Sequence, residues 1–193
     1  MAAIAAKQLT LFTPLRLPHH PYCTQKYDSG YSRKIRVVDQ ALGYKYVQPN
    51  AHVIYWRIVF DIDGIGAVFA YEPANLPPFS WSAKNPANGH AHVSYELEIP
   101  VSFLDKTTKA ARLLVSIERA IGNRLKADLS FNGSLIQNPI HGHWHTHEHR
   151  KRPYSLSELA EWVEVELSAK YAKPINSDNY SFGRNFLMCK GLV

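Results

Sequence analysis

The run His52-Val-Ile-Tyr-Trp-Arg-Ile-Val-Phe60 constrains the fold more than any other segment. It is rich in β-branched and aromatic residues, which suit a pleated, packed surface and lose rotamer freedom in a helix. A strand is therefore predicted over 52–60, and Asp61-Ile62-Asp63-Gly64 stands at its carboxyl end. On an extended chain, side chains two residues apart point to one face, about 6.5–7 Å apart at the backbone. Asp61 and Asp63 therefore share a face, and Ile62 points the other way, into a core.

Other segments arrange themselves around that strand. Phe79 to Lys84 and His90 to Ile99 flank Asn85-Pro-Ala-Asn-Gly89, and Asn-Gly between two alternating runs signals a hairpin. Thr107 to Leu125 places Ala110, Leu114, Ile117, Ile121 and Leu125 on one helical face. Ala127 to Phe131 reads as a short strand carrying Asp128, with Ser130 and Asn132 on its face and Leu129 and Phe131 on the other. Helical spacing of Ile35, Val38, Leu42, Tyr46 and Val47 predicts a helix over Arg33–Gln48, broken near Gly43 and ended by Pro49. A last helix starts at Ser155, where Ser155 and Glu158 make a capping box ahead of the stripe Leu156, Leu159, Val163 and Leu167. The first thirty residues, with Pro14, Pro18, Pro21 and Gly30, read as an irregular leader. The mixture predicts an α+β fold with a mixed, mostly antiparallel sheet and flanking helices.

The bulk properties narrow the class. A hydrophobic content of 46% over 193 residues is enough for one core. No apolar run reaches the ~18 residues of a membrane span, and Met1–Thr13 lacks a secretory pattern. Cys23 and Cys189 lie at opposite ends without a CxxC partner, which points to a reducing, cytoplasmic setting. The formal net charge of +6 favours polyanionic partners, without specifying one.

Two carboxylates side by side on a strand repel unless a cation lies between them, and magnesium or manganese takes such oxygens while sharing substrate phosphates. Asp128 is the best candidate for a third acid. A competing reading makes Asp-x-Asp-Gly an ordinary turn. His90-Ala91-His92 repeats the two-residue geometry on the next strand, with Lys84 and Asn85 just across the hairpin. A lysine and two imidazoles facing the acids would suit a triphosphate. Histidine-hydrophobic-histidine on a strand is also the metal site of nicking enzymes with a tyrosine nucleophile, though that reading gives Asp61 and Asp63 nothing to do. Two solvent-facing strand histidines are the bland alternative. The alternating run His141, His143, His145, His147, His149 can bind zinc or nickel, but its polarity and lack of nearby cysteine predict an exposed segment in which one or two histidines matter.

In order along the chain, Leu17-Pro-His-His-Pro-Tyr-Cys-Thr24, Tyr46-Val-Gln-Pro-Asn50, Tyr55-Trp56, Phe60-Asp-Ile-Asp63, Lys84-Asn-Pro-Ala-Asn-Gly-His-Ala-His92, Ala127-Asp128, Asn138-Pro139 with His141 and Trp144, Pro153-Tyr154-Ser155-Leu156 and Gly183-Arg184-Asn185 form one set. With this set the chain resembles the replication initiators, or replicases, of small colicin-type plasmids, within the archaeo-eukaryotic primase superfamily. The resemblance implies an RNA-recognition-like catalytic core. It implies catalytic metal on Asp61, Asp63 and Asp128, as two Mg2+ or Mn2+ ions, and an incoming nucleotide on His92 with His90 as neighbour. Asn138 and His141 join Lys84 and Asn85 as candidate nucleotide-binding residues. Gln137 stands where the family pattern often has lysine, and His143, His145, His147 and His149 are extra to it.

The resemblance further implies a primase-polymerase domain over 1–175, with 176–193 beginning a helical region that relatives extend into an origin-binding module. The implied function is primer synthesis at a plasmid origin by template-directed nucleotidyl transfer. Its partners would be nucleoside triphosphates, a single-stranded DNA template and a host replication polymerase, with no membrane. The alternatives are the nicking endonuclease and a non-catalytic origin-binding module. The latter is weakened by the lack of a helix-turn-helix or zinc-finger pattern.

Overall fold

A computed structural model describes residues 15–27, 32–128 and 130–165. The main sheet is antiparallel, in the order β4-β6-β5-β8. Its strands are β4 (Ile54–Ile62), β5 (Trp81–Lys84), β6 (Ala91–Ser102) and β8 (His145–Glu148). A smaller antiparallel sheet runs β2-β1-β3-β7, from β1 (Tyr22–Thr24), β2 (Lys34–Ile35), β3 (Tyr46–Val47) and β7 (Ile136–Gln137).

The strand run predicted from 52 to 60 is β4, shifted two residues toward the carboxyl end so that Asp61 lies within it. Its alternation divides two cores. Ile58, Phe60 and Ile62 join Ala91, Val93 and Tyr95 of β6 on the helix side. On the other side Val59, Trp81 and Ala83 meet Cys23, Val47 and Ile136 of the small sheet, with Trp144 beside them. The main sheet is thus covered on both faces, by helix on one and by sheet on the other.

Helix α2 (Lys109–Leu125) lies where periodicity puts it, capped by Thr108, whose side chain accepts from the Ala111 N–H. Leu114, Ile117, Ile121 and Leu125 are buried as expected, but Ala111 rather than Ala110 faces inward. Burial of each large aliphatic side chain stabilises the layer by about 1.5–3 kcal/mol. Glycine at 122 brings the helix close: a Cβ there would lie 3.2 Å from the Phe60 ring. The closing helix α3 (Leu156–Ala160) begins at Ser155, whose hydroxyl accepts from the Glu158 N–H, with Leu159 and Val163 buried. Leu167, Cys189, Gly183-Arg184-Asn185 and the segment 176–193 lie outside the described residues.

Two expectations need correction. The helix expected over 33–48 is a single turn, α1 (Val38–Ala41), between β2 and β3. Helical spacing is overridden because backbone at 34–35 and 46–47 pairs with β1 and β7. Around Asp128 the chain turns instead of forming a strand. Asp128 oxygens accept from the Ser130 N–H and hydroxyl, a side-chain competition that takes the backbone out of a ladder. The histidine run is exposed at His143, His145 and His147, as expected, and 145–148 forms the edge strand β8, paired with β5.

A buried arginine ties the layers together. Arg57 is fully buried and donates to Glu96 Oε1 at 2.7 Å, to Pro49 O at 2.8 Å and to Arg16 O at 2.7 Å. The same Glu96 oxygen accepts from Trp81 Nε1. The leader is thereby fastened to the sheet by a charge-assisted network.

Candidate functional site

At the carboxyl end of β4, Asp61 pairs with His92 of β6 in register. Directly opposed residues of an antiparallel pair share a face, so the alternation predicted from sequence brings acids and imidazoles together. His92 Nε2 lies 3.6 Å from Asp61 Oδ1, and His90 Nδ1 lies 2.6 Å from Asp63 Oδ1. The pairs differ in setting: the Asp61 side chain is 24% exposed and that of Asp63 69%. Ile62 is buried on the opposite face, as expected.

Asp128 reaches the same strand by a different route from the one expected. Helix α2 ends with Lys126 in the left-handed conformation, and the Ala127 N–H turns back to Gly122 O. Two residues past that left-handed turn, the Asp128 N–H donates to Asp61 O at 2.9 Å. The third acid is thus docked along the outer edge of β4, beside the first. The Asp61 and Asp128 carboxylates both raise the phenol of Tyr27, whose upward shift is led by burial.

His92 is held firmly. It is 4% exposed, packs on Phe131 at 4.7 Å between ring centroids, and accepts the Gln137 N–H at Nδ1 over 2.9 Å. Accepting at Nδ1 requires a lone pair there, which fixes the neutral tautomer with its proton on Nε2. That N–H is directed toward the acid site, where it can donate to a phosphate or sugar oxygen.

The remaining candidates separate. Lys84 pairs with Ala91, one residue out of phase with His92, so it leaves the sheet on the helix side and does not join the acids. Its expected place beside the imidazoles fails because a one-residue change of register reverses the face. Asn85 shapes the hairpin: its Oδ1 accepts from the Ala87 N–H, and its N–H donates to His90 O. Asn138 is fully buried, donating to Leu42 O and Tyr44 O and accepting from the Ile140 N–H. It acts as a staple that fixes the loop after Gln137, and through it His92. His141 Nδ1 accepts from the His143 N–H. Burial, aided by His143 and Lys45, pushes its imidazole below the ordinary range.

Sequence reasoning missed a line of rings on this side. Tyr27 packs on Tyr46 at 5.3 Å, and Tyr46 on Trp144 at 5.2 Å. Beyond them Lys45 Nζ lies 3.3 Å from His143 Nε2. Tyrosines are common here, and the pairing of β1 with β3 places Tyr46 opposite Thr24, three residues before Tyr27.

The donor chemistry suits a hard divalent ion: Asp61 and Asp63 carboxylates at one strand end, with the Asp128 backbone hydrogen-bonded to the first. Among the described residues, no three histidine, cysteine or acidic side chains already converge on one point to hold a metal. Asp128 is turned onto Ser130, and Asp61 and Asp63 face imidazoles. Each acid is thus held by its own neighbour, and Asp128 is joined to Asp61 by one backbone hydrogen bond.

The sequence pattern of the Replicase family matches residues 16–163, which span both sheets, α2 and all three acids. The chain belongs to the Replicase family. Among solved structures, the AEP domain of the cyanophage S-2L primase-polymerase is similar, with a TM-score of 0.57 and 11% identity. The match covers 84% of this chain and 98% of that one. At that identity the likeness establishes the fold: an α+β domain of the archaeo-eukaryotic primase type, with the sheets antiparallel. No protein with a curated description matches the chain. No helix among the described residues is long and apolar enough to cross a membrane. Replicase-family membership supports a role in DNA replication.

Proposed function

We propose that this Replicase-family chain is a primase-polymerase that starts plasmid replication by joining nucleotides on a single-stranded DNA template. One observation carries the reading. Two carboxylates at the end of β4 and just past it face two histidines at the start of β6 and just before it, while the chain returns after α2 to dock the Asp128 backbone on Asp61. Asp61, Asp63 and Asp128 would hold two magnesium or manganese ions, which neutralise phosphate charge and lower the pKa of an attacking hydroxyl.

The residues themselves do the positioning. The neutral His92 ring, oriented by Gln137 and Phe131, donates from Nε2 to the triphosphate or sugar of the incoming nucleotide. His90 keeps Asp63 pointed into the site until phosphate arrives. The rings of Tyr27 and Tyr46 form one wall, against which the nucleotide can rest. Lys45, with His141 and His143, supplies cationic and hydrogen-bonding capacity past that wall. Covalent catalysis is not required: orientation and charge neutralisation can supply the acceleration.

The test uses labelled deoxynucleotides or ribonucleotides, a single-stranded template, and magnesium or manganese. Wild-type protein should extend product, and Asp61→Ala should abolish extension without lowering the melting temperature. Extension that survives in Asp61→Ala discards the site. A covalent protein–DNA adduct formed without nucleotides would instead establish the nicking reading. Duplex binding insensitive to all three acids, with no product, would establish a binding module.

A further inference from the structure

The histidines of β8 have no part in the acid site, because strand register puts them on the opposite face. His145 pairs with Lys84, and His147 pairs with Ser82. Ser82 in turn pairs with Val93, which is in the core packed under α2. On that helix side they meet a turn that begins just past the acids. Asp63 is followed by Gly64, by Ile65 at 85% exposure and by the 3-10 turn Ala67–Phe69, with Phe69 51% exposed. The Phe69 ring lies 6.3 Å from His147 and 5.8 Å from His149, and the two imidazoles are 4.5 Å apart. His149 is anchored by Ser82 Oγ at 3.0 Å, while His147 is exposed. The result is a platform of aromatic and imidazole rings, half open to solvent, with Lys84 and His145 along its border.

Resting on the polymerase reading above, we infer that this platform holds the single-stranded DNA as it leaves the acid site. Three features select that occupant. Exposed rings on an edge strand and its adjoining turn can stack any base, whereas an apolar protein partner needs a continuous groove. The bordering cation and imidazoles complement a phosphate backbone. The location is contiguous with the chemistry: Ile62, Ala91, Lys84 and His145 form one cross-strand row at the end of the main sheet, and Asp63 lies immediately beyond it. A strand crossing that end from the acid face meets Phe69 and His147 next.

Fluorescence polarisation with a labelled oligothymidylate, in EDTA, separates this surface from the ion-dependent site and from metal held by imidazoles. The double variant Phe69→Ala/His147→Ala should bind about tenfold more weakly, the loss expected for one base–ring stack. Phe69→Trp should bind as tightly as wild type or better. Both residues are exposed, so the variants should melt like wild type; Phe69→Leu, which keeps the apolar contact without the π-face, should show the same loss. Equal affinity for wild type and the double variant overturns the inference, as does a wild-type chain that does not bind the oligonucleotide. Those outcomes leave the polymerase reading intact so long as incorporation is lost in Asp61→Ala. Incorporation that survives in Asp61→Ala removes that reading instead.

Discussion

Replacing Glu118 by glutamine should make the folded chain markedly less sensitive to pH. Glu118 sits on the buried face of α2, 5% exposed, beside a cavity lined by Asn50, Tyr55, Arg57 and Val59. Burial raises its carboxyl from 4.5 to about 7. Between those values the folded chain keeps a proton that the unfolded chain has released, so stability falls as pH rises through the window. Each tenfold change in proton affinity is worth about 1.4 kcal/mol, which makes the full penalty about 3 kcal/mol above pH 7. Glutamine keeps the shape and cannot ionise. The stability difference between Glu118→Gln and wild type should therefore grow in favour of the variant by about 2–3 kcal/mol from pH 5 to pH 8. Urea denaturation of both proteins at several pH values reads this difference, and titrations common to the two cancel. Parallel pH profiles would refute the reasoning, since they would mean that Glu118 is already ionised in the fold at pH 5 or is solvated.

Three further outcomes follow from the packing. Gly89 has φ +81, and a Cβ there would lie 3.0 Å from Ile65 Cα, so Gly89→Ala should cost more than about 1 kcal/mol in thermal melts. It should also weaken incorporation, because this loop seats the turn after Asp63. Arg57→Ala leaves the Pro49 and Arg16 carbonyls and Glu96 without their buried donor, and chemical denaturation should show a loss of about 3–5 kcal/mol. Asn138→Ala removes three hydrogen bonds of a buried side chain, and the same measurement should show a loss of about 2–4 kcal/mol, with nucleotide affinity falling as His92 loosens.

The parts of this chain that can be read from sequence are those whose local signals agree with their tertiary setting. β4 is β-branched and aromatic and is buried on both faces. The hairpin has Asn88-Gly89, with Gly89 at positive φ. Helix α2 combines a Thr108 cap with an apolar stripe. What cannot be read depends on long-range pairing. Residues 33–48 carry helical spacing, yet their backbone serves β1 and β7. Sequence pattern puts Asp128 on a strand, whereas a left-handed Lys126 swings it onto Asp61, and lysine gives no hint of that conformation. Lys84 groups with the imidazoles only while hairpin parity is unknown, because the register across the loop is settled by the pairing of Lys84 with Ala91. Asn138 has the chemistry of a ligand residue and is spent on backbone carbonyls, a role that composition does not separate from binding.

The central claim is that Asp61, Asp63 and Asp128 share divalent ions when a nucleotide is present. Electron paramagnetic resonance can count manganese bound to the chain with a non-hydrolysable nucleoside triphosphate. Two ions per chain are expected for wild type, and loss of both is expected for Asp61→Asn/Asp63→Asn with the fold retained. Unchanged manganese binding in that variant would contradict the account.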